Sequence, residues 1–310
     1  MASPRPPCSV VLPTRDRAER LQRCLASLAD TLGPDDELIV VDSASTDPNV
    51  RRVAEAAGAI VLRCERPGVD RARNAGWRRA QHDAVLFVDD DVVVDTGWAD
   101  ALVAALEKHP DGGFVTGRID ALEGGGAVER PVAIKDDEHP ARLDADTTGT
   151  LGHSASLAVR RGALEQIGGF DEAMGAGARF QSSPEVDLFD RLFAAGWVGW
   201  YEPAARAKHE QWRVRRQLLV LDWRYVMGGG ARVAKLVRSN RARARRVAYE
   251  VLWTTGLRTA ASDLRGGYQT GVLLRLAQVL GAVVGFAVAL PVPVREGHYR
   301  LRGDASSRES

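Results

Sequence analysis

Residues 84–91 read AVLFVDDD, five apolar residues followed by three consecutive acids. A short, branched and aromatic run of this kind predicts a buried strand. The acids begin where that strand must end. In a parallel α/β sheet, ligands gather beyond the carboxyl ends of the strands. Three adjacent carboxylates there repel one another and require a compensating cation. A divalent ion with a preference for hard oxygen, bridging to a diphosphate, meets that requirement. A loop of helix-capping aspartates is the alternative.

Strands and helices alternate on the N-terminal side. Residues 9–13 (SVVLP), 37–42 (ELIVVD) and 59–63 (AIVLR) predict strands, the first stopped by Pro13. Residues 17–32 carry leucines at 21, 25, 28 and 32, a helical spacing, and residues 50–57 and 70–80 are helical in composition. Residues 98–108 predict another helix and 113–116 a strand. Such alternation implies parallel strands joined by crossover helices, hence an α/β fold with a mostly parallel sheet. Beyond residue 124, glycines and acids suggest long loops, which in compact domains are usually functional. Helices are predicted at 161–167, ended by Gly168 and Gly169, and at 184–195, ended by Gly196.

The chain of 310 residues suits one large domain with an appendage, and a net charge of +1 argues against bulk nucleic-acid binding. Cys8, Cys24 and Cys64 form no CxxC pair; an odd set of thiols suits a reducing compartment. The first ten residues hold Arg5 and three prolines, and the apolar run at 9–12 is too short for a secretory signal, so a cytoplasmic catalytic part is expected.

Asp42 ends the second strand in VVDSASTD, where an acid can take hydrogen bonds from a base or ribose hydroxyl; capping of the next helix is the other possibility. No GxGxxG follows the first strand, and no Walker A loop is present. Four segments then stand in order: VVLPTRDRAERLQRCLASL, VVDSASTD, PGVDRARNAGW and VLFVDDDV. Together with GHSASLAVRRGALEQIGGFDE and GAGARFQSSPEVDLFDRLFAAGW–YEPAARAKH, they resemble the inverting family 2 glycosyltransferases of the GT-A fold, over roughly residues 8–212.

The resemblance implies a nucleoside diphosphate sugar donor, Mg²⁺ or Mn²⁺, and a glycan, lipid-linked or small-molecule acceptor. It implies that Pro13, Thr14 and Arg15 line the base pocket, and that Asp42 binds base or ribose. Arg71, with Arg73 and Asn74, would approach the nucleotide. Asp89 would contact the ribose with Asp90 beside it, and Asp91 with His209 would hold the metal. Relatives carry a Glu-Asp pair that supplies the base; here Pro184 replaces the first acid, Glu185 stands at the second, and Asp187 matches a further one. Proline suits a helix start, and the helix dipole there favours an anionic base. Ser156 stands where relatives often carry asparagine.

The implied division is a nucleotide-sugar half (1–120), an acceptor and base half (121–212), a basic and apolar helical extension (213–301) and a disordered tail (302–310). Residues 211–249 hold eleven Arg/Lys against one acid, Asp222, and residues 273–290 are apolar apart from Arg275 and Gln278. Fifteen helical residues from 276 to 290 would span about 22 Å, short of a ~30 Å bilayer core. Two readings follow: a helix packed on the domain beside a solvated basic face, or peripheral contact with the inner face of the cell membrane, each basic residue adding about 1 kcal/mol near an anionic surface. Trp197, Trp200, Tyr201 and Trp212 are candidates for stacking on sugar rings or for packing. Two other readings compete: a nucleotidyltransferase, disfavoured because PTRDRAE lacks a glycine-rich phosphate loop, and a non-catalytic nucleotide-sugar-binding protein, supported by Pro184.

Overall fold

The computed structural model describes residues 5–122, 132–181, 184–211, 215–265 and 269–301. Gly124–Gly126, Ser183, Trp212 and the tail from 302 lie outside the described residues. The chain forms two compact units, one drawn from residues 1–170 and 188–213, the other from 171–187 and 214–310.

In the first unit, β1 (Cys8–Thr14), β2 (Glu37–Ser43), β3 (Ile60–Cys64) and β4 (Ala84–Phe87) are parallel in the order β3-β2-β1-β4. The connecting helices are α1 (Ala18–Ala29), α2 (Asn49–Ala56) and α3 (Val69–Arg79). Successive side chains of a strand point to opposite faces. Cys8, Val10 and Leu12 accordingly join the core under α1, α2 and α4 (Trp98–Lys108). Val11, Ile39 and Val41 join the core under α3 and α5 (Arg161–Ile167). Gly76 lets α3 close on β1: a Cβ there would meet Val11 Cγ1 at 2.3 Å.

Pro13 does not end the first strand, as the sequence had suggested. β1 continues to Thr14, and pairing with β4 stops at Val11, so the missing N–H of Pro13 breaks no ladder bond on that side.

The sheet then changes direction. β8 (Leu157–Arg160) lies antiparallel to β4 and to β6 (Gly112–Leu122), and β9 (Val198–Glu210) runs parallel to β6. β5 (Val92–Val94) and β7 (Ala141–Leu143) pair antiparallel with β9, giving nine strands among the described residues. The local pattern reveals none of β5, β7, β8 and β9. β9 even crosses Pro203, tolerated because its pairing with β6 shifts register between Gly117 and Arg118. The helix α6 (Pro184–Ala194) follows α5, its first turn belonging to the second unit and the rest to the first.

The second unit contains α7 (Arg215–Ser239), α8 (Arg241–Tyr249), a π-helical stretch (Glu250–Leu257), α9 (Arg258–Arg265), α10 (Gln269–Ala289) and a small hairpin of β10 (Val294–Arg295) and β11 (His298–Tyr299). Ala173, Phe180, Ala231, Ala234, Ala289 and Tyr299 form one of its cores. α7 and α10 approach backbone to backbone: a Cβ on Gly285 would fall 1.9 Å from the Met227 carbonyl oxygen. The apolar helix is longer than the fifteen residues expected. At 21 residues α10 measures about 31 Å, and its window Val272–Ala289 is long and apolar enough to cross a membrane by length and composition.

The start of β1 is tied down by Asp36. Its carboxylate accepts from Arg5 Nη2 (2.7 Å), Cys8 N (2.8 Å) and Gly33 N (2.7 Å). Burial alone would raise the carboxyl pKa, but these donors outweigh it and hold it at about 2. A depressed folded pKa gives stability that is present above the unfolded value and lost as pH falls through the folded one. Asp36→Asn is therefore expected to lower the melting temperature at pH 7 and to flatten its fall between roughly pH 4 and 2. Melts across that range check this; an unchanged acid limb contradicts it.

Candidate active site

The acids at the end of β4 are held by cations from α3 and from the turn before α1. Asp89 is half-buried, and Asp90 and Asp91 are buried. Arg73 of α3, itself buried, places Nη2 2.7 Å from Asp89 Oδ1 and Nη1 3.0 Å from Asp70 Oδ1. Arg17, just before α1, places Nη1 2.8 Å from Asp90 Oδ1 and 3.5 Å from Asp91 Oδ2. Thr14 Oγ1 donates to Asp90 Oδ2 at 2.8 Å. Burial pushes the Asp90 carboxyl up to about 6, opposed by Arg17 and reinforced by the charge of Asp91. Sequence reasoning missed Arg17, although it stands in the PTRDRAE segment, four residues past Pro13.

His209 arrives from far along the chain. Register between β5 and β9 sets it opposite Val92, and its Nε2 lies 3.5 Å from Asp91 Oδ1. Its Nδ1 lies 3.2 Å from the Gln211 amide nitrogen. That amide is fixed in turn: Val132 N donates to its Oε1 (2.9 Å), and its Nε2 donates to Val132 O (3.1 Å). A carboxylate and an imidazole facing each other fit a divalent ion of the Mn²⁺ or Mg²⁺ kind. Among the described residues no group of three such ligands exists.

Asp42 stands opposite Thr14 in the β1–β2 register and has partners of its own. Its Oδ1 accepts from Ser45 N at 2.8 Å, and Arg63 Nη1 donates to Oδ2 at 2.5 Å. Asp42, Thr46, Pro48, Arg51, Leu62 and Arg63 line a cavity of about 380 Å³, within the size range of small-ligand sites. Arg63 is a second residue the sequence did not single out. Pro13 is buried in β1, and Arg15 is exposed beside Asp16.

Several candidates have other partners. Asn74 Nδ2 donates to Phe170 O, and its Oδ1 accepts from Phe170 N and Trp77 Nε1, each at 2.9 Å. Both ends of that amide hold the loop after α5. Arg71 donates to Pro67 O at 3.1 Å. Ser156 accepts from Trp98 Nε1 at 2.8 Å, a buried packing role. Trp200 stacks on His109 with centroids 3.5 Å apart, Trp197 Nε1 donates to Gln166 Oε1, and buried Tyr201 donates to Asp137 O.

In the second unit, Glu185 and Asp187 occupy the first turn of α6 and are both buried. Lys235 of α7 is buried with them: Nζ lies 2.6 Å from Asp187 Oδ1 and also pairs with Asp171 Oδ2. Tyr299 N donates to the same Asp171 oxygen at 2.9 Å. Asp187 is thus one arm of a carboxylate–ammonium–carboxylate bridge.

A mostly parallel sheet that turns antiparallel after an acidic strand end defines the GT-A glycosyltransferase fold. The chain belongs to glycosyl transferase family 2, whose model matches residues 9–168. It is 31% identical over 260 residues to a pre-mycofactocin glycosyltransferase of Mycobacterium tuberculosis, covering 77% of this chain and 51% of that relative. It is 30% identical over 240 residues to the N-acetylglucosaminyl-diphospho-decaprenol L-rhamnosyltransferase of the same organism, covering 65% of this chain and 75% of that one. The chain thus spans about half the length of the mycofactocin relative. The fold is shared with Staphylococcus aureus TarS 1-349 in complex with UDP-GlcNAc (TM-score 0.63, 18% identity, 92% of this chain and 82% of that one). It is also shared with the Pyrobaculum calidifontis mannosyltransferase PcManGT in complex with GDP-Man and Mn²⁺ (TM-score 0.61, 21% identity, 92% and 88%).

Removing the ammonium from the buried bridge leaves two carboxylates uncompensated. Lys235→Met is expected to cost about 3–5 kcal/mol in urea unfolding. Adding Asp171→Asn and Asp187→Asn to that variant should recover much of the loss; an unchanged midpoint in Lys235→Met contradicts the bridge.

Proposed function

We propose that the chain transfers a sugar from a nucleoside diphosphate donor to a hydroxyl of a lipid-linked acceptor, with inversion, in cell-envelope glycan synthesis. The observation that carries this reading is the acid cluster at the end of β4, in which Asp91 faces His209. Asp42 and the cavity beside it would take the base, and Asp89 the ribose. Asp91 and His209 would hold Mg²⁺ or Mn²⁺, which when bound supplies positive charge to the departing diphosphate. Arg17 stands beside the same carboxylates and would add to that charge.

Glu185 is the proposed base. The bridge to Lys235 occupies Asp187 and gives it a supporting place. Glu185 would remove the proton of the acceptor hydroxyl as its oxygen attacks the anomeric carbon and the bond to the diphosphate breaks. One displacement of this kind needs no covalent sugar intermediate. The relative named for N-acetylglucosaminyl-diphospho-decaprenol supports a polyprenyl-linked acceptor. The basic, apolar second unit supports contact with the cytoplasmic face of a membrane: Leu273, Leu276, Leu280, Val283 and Leu290 expose a stripe along and just past α10, and only 22% of the window Val272–Ala289 is buried.

Glu185→Gln is expected to keep nucleotide binding and to reduce transfer by about 10²–10⁴-fold, measured as sugar transfer against nucleotide affinity. Near-normal turnover removes Glu185 from the role, and absence of transfer in the unaltered chain favours a binding protein. Asp91→Asn should abolish the stimulation of nucleotide binding by Mn²⁺, read by titration with and without the ion; an unchanged stimulation contradicts the ligand assignment.

A further inference from the structure

We propose that the second unit carries a groove for the hydrocarbon chain of a polyprenyl phosphate, with Arg241 and Arg245 receiving its phosphate. This rests on the reading that the acceptor is lipid-linked and names where its lipid part binds. The groove measures about 410 Å³ and lies between α7, α8, the π-helical stretch and α10. Val233, Val237, Ala244, Val251, Leu252 and Phe286 give it an apolar lining. Water in such a space finds few polar partners, and unfilled apolar walls lose dispersion contacts, so the groove favours an apolar occupant.

Its polar features are confined to one wall. Arg241, Ala244, Arg245 and Ala248 line the groove at the i, i+3, i+4, i+7 spacing of a single helix face on α8. Both arginines are exposed. Guanidinium groups beside an apolar trough complement an amphiphile with one chain and a phosphate head, since the planar fork donates to two phosphate oxygens at once.

The groove also communicates with a lipid-like surface. Val283 lines it and is half exposed as part of the stripe on α10, so a chain can enter sideways. Val233 and Val237 flank Lys235 on α7 by two residues each way, about 200° around the helix. One face of α7 thus lines the groove, and another holds Asp187 in the turn that carries Glu185. α7 therefore lines the groove and, through Lys235, also holds the turn of α6 that carries the proposed base.

The test uses the full chain and farnesyl phosphate as probe, with farnesol, inorganic phosphate and phosphatidylglycerol vesicles in parallel arms. Saturable binding of farnesyl phosphate is expected, with farnesol weaker and inorganic phosphate showing none. Ala244→Trp fills the groove and should weaken binding by at least about tenfold. The double variant Arg241→Ala/Arg245→Ala, on an exposed face, should do the same without loss of melting temperature. Nucleotide affinity should stay unchanged in both variants, which separates failure of the groove from failure of the transferase reading. Equal farnesyl phosphate binding by the unaltered chain and the double arginine variant overturns the proposal. So does complete competition by phosphatidylglycerol vesicles, which would make the bilayer surface the occupant.

Discussion

Like charges set side by side at the end of β4 are the constraint around which the first unit is organised. Asp89, Asp90 and Asp91 follow a fully buried strand, so their repulsion cannot be relieved by moving the backbone. The protein meets it with one cation per side. Arg73 comes from α3, and Arg17 from the turn before α1. Two buried carboxylates share Arg17, and burial pushes the Asp90 carboxyl up to about 6. A ligand that brings more positive charge would lower the repulsion further, as the proposed divalent ion would. That is the physical sense of placing Asp91 against His209.

The second unit solves a related problem differently. Asp171 and Asp187 are buried together, and here the cation is internal: the Lys235 ammonium lies between them. A buried bridge of this kind contributes little net stability, but it is costly to break, and it fixes the register of the elements that meet there. It fixes the first turn of α6 relative to α7 and to the hairpin that ends in Tyr299. The proposed base therefore stands on an oriented turn, beside an Asp187 that pairs with Lys235.

Most of the parallel half of the sheet was legible in the sequence, because β1 to β4 are short apolar runs separated by helices with a 3.6-residue period. The return half was not. β9 is rich in polar residues and contains Pro203, and β5 has three residues; their pairing depends on partners far along the chain. For the same reason His209 could be placed beside Asp91 only by resemblance, and register supplied the geometry. Lys235 stands 48 residues from Asp187, without a local signal. Asn74 has partners the sequence did not suggest. Its position in RARNAGW suggests a nucleotide contact, and in the fold its amide binds Phe170 and Trp77. Leu276–Leu290 looked too short to span a bilayer because its start was set too late, and the helix begins at Gln269.

The central claim is that the acidic end of β4 gathers a divalent ion against a diphosphate. Crystals soaked with Mn²⁺ and either UDP or GDP, measured for anomalous scattering from manganese, test it most directly. A manganese peak between Asp91 and His209, with diphosphate oxygens beside it, is the expected result. An ordered nucleotide at that edge with no manganese beside Asp91 would contradict it.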